Sequence, residues 1–188
     1  MIKMINSDEW REDKSAKSIT FFSIKKPSSI SKELIEELKR ISKENGKKNA
    51  RFCLHENPEA PLHDMIILEY RDKKCRKPHK HLEKNETLHM IEGKMIALFF
   101  DDEGKLMKRE TLNSEDNFAY HTPIGVYHVW LPLTEYVVYR EIKQGPFKQE
   151  DNISPEFNHV EVLKKNVDFM SLDCYNDKCN YPCSLKKI

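Results

Sequence analysis

Apolar positions along the chain change period once, and the change divides it into unlike parts. Residues 19–24 form a short apolar run, which Lys25, Lys26, Pro27, Ser28 and Ser29 break with charge and turn chemistry. Behind that break Leu34, Ile35, Leu38 and Ile41 recur at helical spacing, so the pattern predicts a helix. Ser31 suits its N-cap, and Glu33 sits in the first turn, where the helix dipole favours an anion. Asn45 and Gly46 supply a left-handed stop. From Arg51 onward the period shortens to that of strands, rich in β-branched and aromatic residues and separated by turn signals. Strands are predicted over 51–54, 65–70, 87–92, 94–100, 106–112, 117–121, 127–131 and 135–142. Asp101, Asp102, Glu103 and Gly104 form a hairpin connection between two of them, with Gly104 free to take positive φ.

Such a run of short strands predicts an all-β jelly roll or small barrel, whose closure removes exposed strand edges. Beyond Gly145, Pro146 and Phe147 the apolar residues become sparse and irregular, which places the barrel's edge near Lys148. The organisation read from the pattern is a strand-helix extension over 1–50, a barrel over 51–148 and a Cys-containing extension over 149–188. That last segment is expected to wrap the surface as loops and short turns, dispensable to whatever the barrel holds.

Composition narrows the function classes. The 32 basic side chains nearly balance 31 acidic ones, so no large single-sign field favours nucleic acid or membrane as a partner. No stretch approaches the roughly 18 apolar residues of a membrane span. Residues 1–17 carry mixed charge without an apolar core, so neither a signal nor a transit peptide is expected and the reading is a soluble, cytoplasmic protein. Five cysteines, an odd number, do not make a disulfide framework.

The informative chemistry begins at Pro78. His79 and His81 are two apart, so on an extended strand both imidazoles present to one point. Glu86 follows a turn at Lys84 and Asn85 and can return a hard oxygen ligand to the same cavity. Much later, Pro123 and Gly125 shape a turn ahead of His128, a fourth ligand. Three imidazoles and a carboxylate suit one divalent transition metal (Fe, Mn, Ni, Zn or Cu) with one or two open positions, as catalysis requires.

These segments resemble the paired motifs of the cupin superfamily, HxH(x)4E(x)6G ending at Gly93 and PxGxxH ending at His128, matched at each of those positions. Two departures fall on non-ligand positions, where a family glycine is Lys73 and a family asparagine is Pro132. With Arg51 and His55, Pro78, Phe100 to Gly104, Glu141, and Gly145 to Phe147 added, residues 48–148 are similar to WbuC-type cupin metalloproteins. The resemblance implies a cupin barrel, a homodimer and an association with O-antigen or other surface-polysaccharide gene clusters. It also places Arg51 and His55 at the barrel's mouth as candidate substrate-binding residues, where a guanidinium would grip a carboxylate or phosphate. A surface salt bridge is the alternative for Arg51.

Other residues carry weaker signals. Tyr120 and His121 precede the second motif and are the candidates for proton donors at the cavity mouth, against a reading as idle strand-end side chains. His89, three residues after Glu86, falls on the opposite strand face and reads as structural. Glu141 reads as a solvated strand residue or a support for a ligand imidazole. Cys174, Cys179 and Cys183 lack the spacing of common zinc knuckles; a second site completed by Cys75 or His159 is the lesser alternative to reduced thiols on a tail.

The sequence therefore points to a metal-binding cupin. The favoured reading is a metal-dependent enzyme, an isomerase or lyase, acting on a saccharide or sugar nucleotide of surface-polysaccharide synthesis. An iron-dependent dioxygenase and a non-catalytic carbohydrate-binding or sensor module are the alternatives.

Overall fold

Residues 94–100 are apolar at six consecutive positions, and in a strand successive side chains point to opposite faces, so this segment must be covered on both sides. A computed structural model, which describes residues 5, 8–26, 28–71 and 76–167, shows how. In strand β7 (Lys94–Phe100), Met95, Ala97 and Phe99 face one buried cluster while Ile96, Leu98 and Phe100 face another. β7 is the centre of a three-stranded antiparallel sheet, between β10 (Tyr127–Pro132) and β8 (Leu106–Asn113).

A larger sheet runs in the order β1 (Trp10–Glu12), β2 (Ile19–Ser23), β3 (Ala50–Cys53), β4 (Leu62–Tyr70), β11 (Tyr136–Gln144), β6 (Glu86–Glu92), β9 (Ala119–Thr122). All its pairs are antiparallel except β2 with β3. Leu88, Met90, Val137 and Tyr139 of this sheet pack against Met95, Phe99, Leu112 and Trp130 of the other, so the two face each other across one core. The chain is thus mostly β, built on two sheets packed face to face. Among the described residues no ladder closes the two sheets into a barrel, so the expected closed barrel is an open sandwich.

Each sheet is covered outside by one helix. Helix α1 (Lys32–Glu44) is capped by Ser31, whose hydroxyl accepts from the Leu34 amide at 3.3 Å, and it ends at Asn45 and Gly46, the latter at φ +73°. Its Ile35 and Leu38 pack with Phe21, Phe52, Ile66 and Leu68 on the outer face of the large sheet. The second helix, α2 (His159–Asn166), lies where loops were expected. Asn158 caps it by accepting from the Glu161 amide, and Leu163 and Val167 dock on Ile96, Leu98, Val129 and Leu131. Four strand-forming apolar side chains exposed to water would be costly, so a cover had to come from somewhere, and it comes from the C-terminal segment.

That segment also enters the sandwich. A turn of 3-10 helix at Gln149–Asp151 leads into β12 (Asn152–Ile153), which pairs with β5 (Lys80–His81), Asn152 opposite His81. The boundary expected near Lys148 therefore does not separate the following residues from the strand that carries the histidines. The tail cysteines 174, 179 and 183, with Cys75, lie outside the described residues. No helix among the described residues is long and apolar enough to cross a membrane.

Leu163 is 1% exposed at the centre of the α2 contact, and truncating a buried leucine to alanine typically costs about 2–5 kcal/mol. Leu163→Ala should lower the melting temperature of the full chain by several degrees in a thermal melt. A melt unchanged from wild type would mean that α2 is not the cover of this sheet.

Candidate metal centre

Backbone pairing assembles the site. The His79 amide donates to the His128 carbonyl at 3.0 Å and the His128 amide returns to the His79 carbonyl at 2.9 Å, an isolated antiparallel bridge. The Gly125 amide donates to the His81 carbonyl at 2.8 Å, which ties the proline-glycine turn to the same segment. Gly125 takes φ +80°, a left-handed conformation that glycine adopts at no steric cost. With the two segments joined, one ring nitrogen from each of His79, His81 and His128 lies within 4.8 Å of the others. Three histidines so placed are able to bind a metal ion.

Glu86, 3% exposed, reaches the cluster from β6. Its Oε1 is 2.7 Å from His128 Nε2 and its Oε2 is 3.4 Å from His81 Nε2. Trp130 Nε1–H donates to Oε1 at 3.2 Å, and Lys143 Nζ stands 4.0 Å from Oε2. Burial alone would push this carboxyl up, but the facing imidazoles and ammonium hold it well below the usual carboxylate range. His79 is pushed down to about 3, mainly by burial and then by His128 beside it, so it is neutral at physiological pH with a lone pair to offer.

The tautomer of His128 matters most. Its Nδ1 lies 2.9 Å from the Val126 carbonyl, which only accepts, so Nδ1 carries the proton and Nε2 of the neutral ring is bare. That bare nitrogen faces an ionised carboxylate at 2.7 Å, lone pair against lone pair. Positive charge is needed between them, from a second proton or a metal cation. Both ring nitrogens of His81 and Nε2 of His128 are buried and make no hydrogen bond among the described residues, a costly state unless another partner binds them. The residues present fit a divalent ion.

Behind His81 stands Asp151, 5% exposed and brought in by the C-terminal segment. Its Oδ1 accepts from the amides of Leu82 and Glu83, both at 3.1 Å. Its Oδ2 is 3.3 Å from Lys84 Nζ and 4.0 Å from His81 Nδ1. Lys84 in turn donates to the Pro146 carbonyl at 2.7 Å. Histidines that bind metals usually present their second nitrogen to a carboxylate or carbonyl, and Asp151 occupies that place.

The cluster opens on a cavity of about 590 Å³ whose lining includes His79, Glu86, Trp130, Arg51 and Lys143. Arg51 faces this cavity and forms no salt bridge among the described residues; its Nε donates to Thr20 Oγ1 at 3.1 Å. His55 does not line it: the ring stacks on His63 at 4.4 Å and its Nδ1 accepts from the Asp64 amide. Nor do Tyr120 and His121, the expected proton donors. Tyr120 stacks on Phe99, and His121 is exposed against Thr87 Oγ1. His89 is exposed beside Phe118, on the face away from Glu86. Glu141 faces the cavity and pairs with Lys143 at 2.6 Å.

Lys143, Trp130 and Asp151 escaped the sequence reading. Register alone brings Lys143 in, set between His63 on β4 and Glu86 on β6. No short-range spacing announces that.

Fold and site together define a mostly β protein of two facing sheets with three convergent histidines. A family profile described as a domain of unknown function, DUF6016, matches residues 30–112. No curated protein matches the chain. Among solved structures, the capsular polysaccharide assembling protein CapF from Staphylococcus aureus is 16% identical at a TM-score of 0.47, over 58% of this chain and 30% of CapF. KdgF from Halomonas sp. is 15% identical at 0.41, over 54% of this chain and 83% of KdgF. A dTDP-4-dehydrorhamnose 3,5-epimerase from Elizabethkingia anophelis NUHP1 is 20% identical at 0.43, over 50% and 56%. The chain thus spans under a third of CapF's length, and what each of these proteins does belongs to that protein.

Burial also holds His55 down to about 4 and His63 below its ordinary value. With His79, these rings are harder to protonate folded than unfolded. Between their ordinary 6.5 and those lowered values the unfolded chain binds more protons, so stability is present above pH 6.5 and is lost as pH falls. The chelator-treated protein should melt progressively lower from about pH 7 to pH 4.5. A melting temperature flat or rising over that interval would contradict neutral, buried imidazoles.

Proposed function

We propose that His79, His81, Glu86 and His128 hold one divalent transition metal ion, and that the protein is a metal-dependent enzyme acting on a small polar molecule in the adjoining cavity. The observation that carries this reading is the buried His128 Nε2 set 2.7 Å from the buried Glu86 carboxylate, beside a His81 ring with no hydrogen bond at either nitrogen among the described residues. The substrate class we favour is a saccharide or sugar nucleotide of surface-polysaccharide synthesis, supported by the likeness of residues 48–148 to WbuC-type cupins. A cavity of about 590 Å³ suits a ligand of that size.

A bound divalent ion would supply Lewis acidity, polarising a carbonyl or hydroxyl oxygen of the substrate. The protein's own groups do the rest. The Val126 carbonyl fixes the His128 tautomer, and Asp151 stands at the far nitrogen of His81. Trp130 Nε1–H fixes one oxygen of Glu86. Lys143, held as a cation between Glu141 and Glu86, is the candidate proton donor on the cavity wall. It takes the place that His121 and Tyr120 held in the sequence reading.

A cation that binds only the folded state stabilises it by about 4 kcal/mol at a thousandfold excess over its dissociation constant. Wild type loaded with Zn(II), Ni(II) or Mn(II) should therefore melt well above the chelated protein. His128→Ala should lose most of that rise and most of the metal found by elemental analysis, while His89→Ala should lose neither. Asp151→Ala should fold and bind, with affinity weakened about 10 to 100-fold. A full metal equivalent in His128→Ala, with its loss in His89→Ala, would overturn the assignment.

A further inference from the structure

Among the described residues, two charges lining the cavity have no ion pair, Asp13 and Arg51, and only the guanidinium leaves its outer nitrogens without an oxygen. Glu69, 2% exposed, is gripped by the guanidinium of Arg76, with Nε to Oε1 at 2.8 Å, and accepts the Tyr139 hydroxyl at 3.1 Å. Lys143 pairs with Glu141, and Glu86 faces the imidazoles. Asp13 accepts from the amide and hydroxyl of Ser15 at 3.0 and 2.6 Å. Among the described residues Arg51 has no carboxylate within 4.0 Å, and beyond the Thr20 hydroxyl its guanidinium's hydrogen-bond partner is Met65 Sδ, 3.9 Å from Nη1.

A guanidinium presents five donors in a rigid fork suited to bidentate capture of a carboxylate or phosphate. Here the fork's base is held by Thr20, which is fully buried, while the Nη groups find no oxygen among the described residues. The wider electrostatics agree. The lining carries four carboxylates, Asp13, Glu69, Glu86 and Glu141, against three cations, Arg51, Arg76 and Lys143. A divalent ion at the histidines therefore turns a net negative lining into a net positive one, which a single carboxylate balances and a phosphate monoester, at about −1.5 to −2, slightly exceeds.

We infer that Arg51 anchors an oxyanion, carboxylate or phosphate, of the molecule that the metal site processes. The substrate class is thus a small anionic molecule, a sugar acid or a sugar phosphate, with its charged group on Arg51 and its reacting oxygen towards the histidines. The inference rests on the metal reading above, since the balance of charge requires the ion.

The test uses the full chain, its metal content measured first, titrated calorimetrically with galacturonate, glucose 1-phosphate and glucose. At least one of the two anions should bind ten or more times tighter than neutral glucose, and which one identifies the oxyanion. Arg51→Gln should abolish that preference without changing metal content. Arg51→Lys, which keeps the charge and loses the fork, should bind the preferred anion at least severalfold weaker than wild type, and it carries the test if Arg51→Gln does not fold. Equal binding of glucose, no binding of either anion to the metal-loaded protein, or a preference that survives substitution of Arg51 overturns the inference and leaves the metal reading standing. A wild type that takes up no metal sinks the metal reading itself, and this inference with it.

Discussion

The structure turns on one buried carboxylate. Glu86 is ionised, 3% exposed and set between two facing sheets, and an isolated charge there would cost far more than the fold's whole stability. It is tolerated because Trp130 and Lys143 bring positive charge to it from separate elements and because the gap it shares with His128 and His81 is where a proton or cation sits. Each of those side chains is placed by a backbone ladder: the His79–His128 bridge, the β6–β11 register and the β7–β10 pairing. Removing one partner from a buried ionic cluster leaves the others uncompensated, so the site and the sandwich are not separable.

The C-terminal segment belongs to the same unit. Asp151 holds the turn after His81 through two amides, β12 extends the histidine strand, and α2 covers the sheet that carries His128. Chain that looks peripheral in composition thus closes the back of the site, and Asn152 and Phe147 contribute to the cavity lining. Gly145 is explained in the same way: a Cβ there would collide with the Ala60 carbonyl and the His63 ring, so only glycine lets β11 leave the sheet at that point.

Much of this was legible where the signal was local. Strand β7 matched its predicted span because an apolar run bounded by Gly93 and a hairpin has few other solutions, and α1 announced itself through Ser31 and its apolar stripe. The histidine spacing, too, is a local property of a strand. What escaped were features decided by tertiary fit. β1 and β12 are three and two residues long and exist only because an edge was available to pair with. α2 docks through Val162 and Leu163, with Val167 just past its end, too few to stand out from a polar background. Tyr120 and His121 were placed at the cavity by proximity to a motif, yet β9 is an edge strand that turns His121 to solvent. Lys143, by contrast, reads as an ordinary strand lysine until the sheet order sets it beside Glu86.

The central claim is that one cation lies between Glu86 and three imidazoles. Anomalous diffraction from crystals grown with a single transition metal, recorded on both sides of its absorption edge, tests it most directly. The account predicts one strong peak within about 2.0–2.2 Å of a nitrogen from each of His79, His81 and His128 and of a Glu86 oxygen. A metal bound elsewhere in the crystal, with Glu86 and His128 still in direct contact and no peak between them, would contradict it.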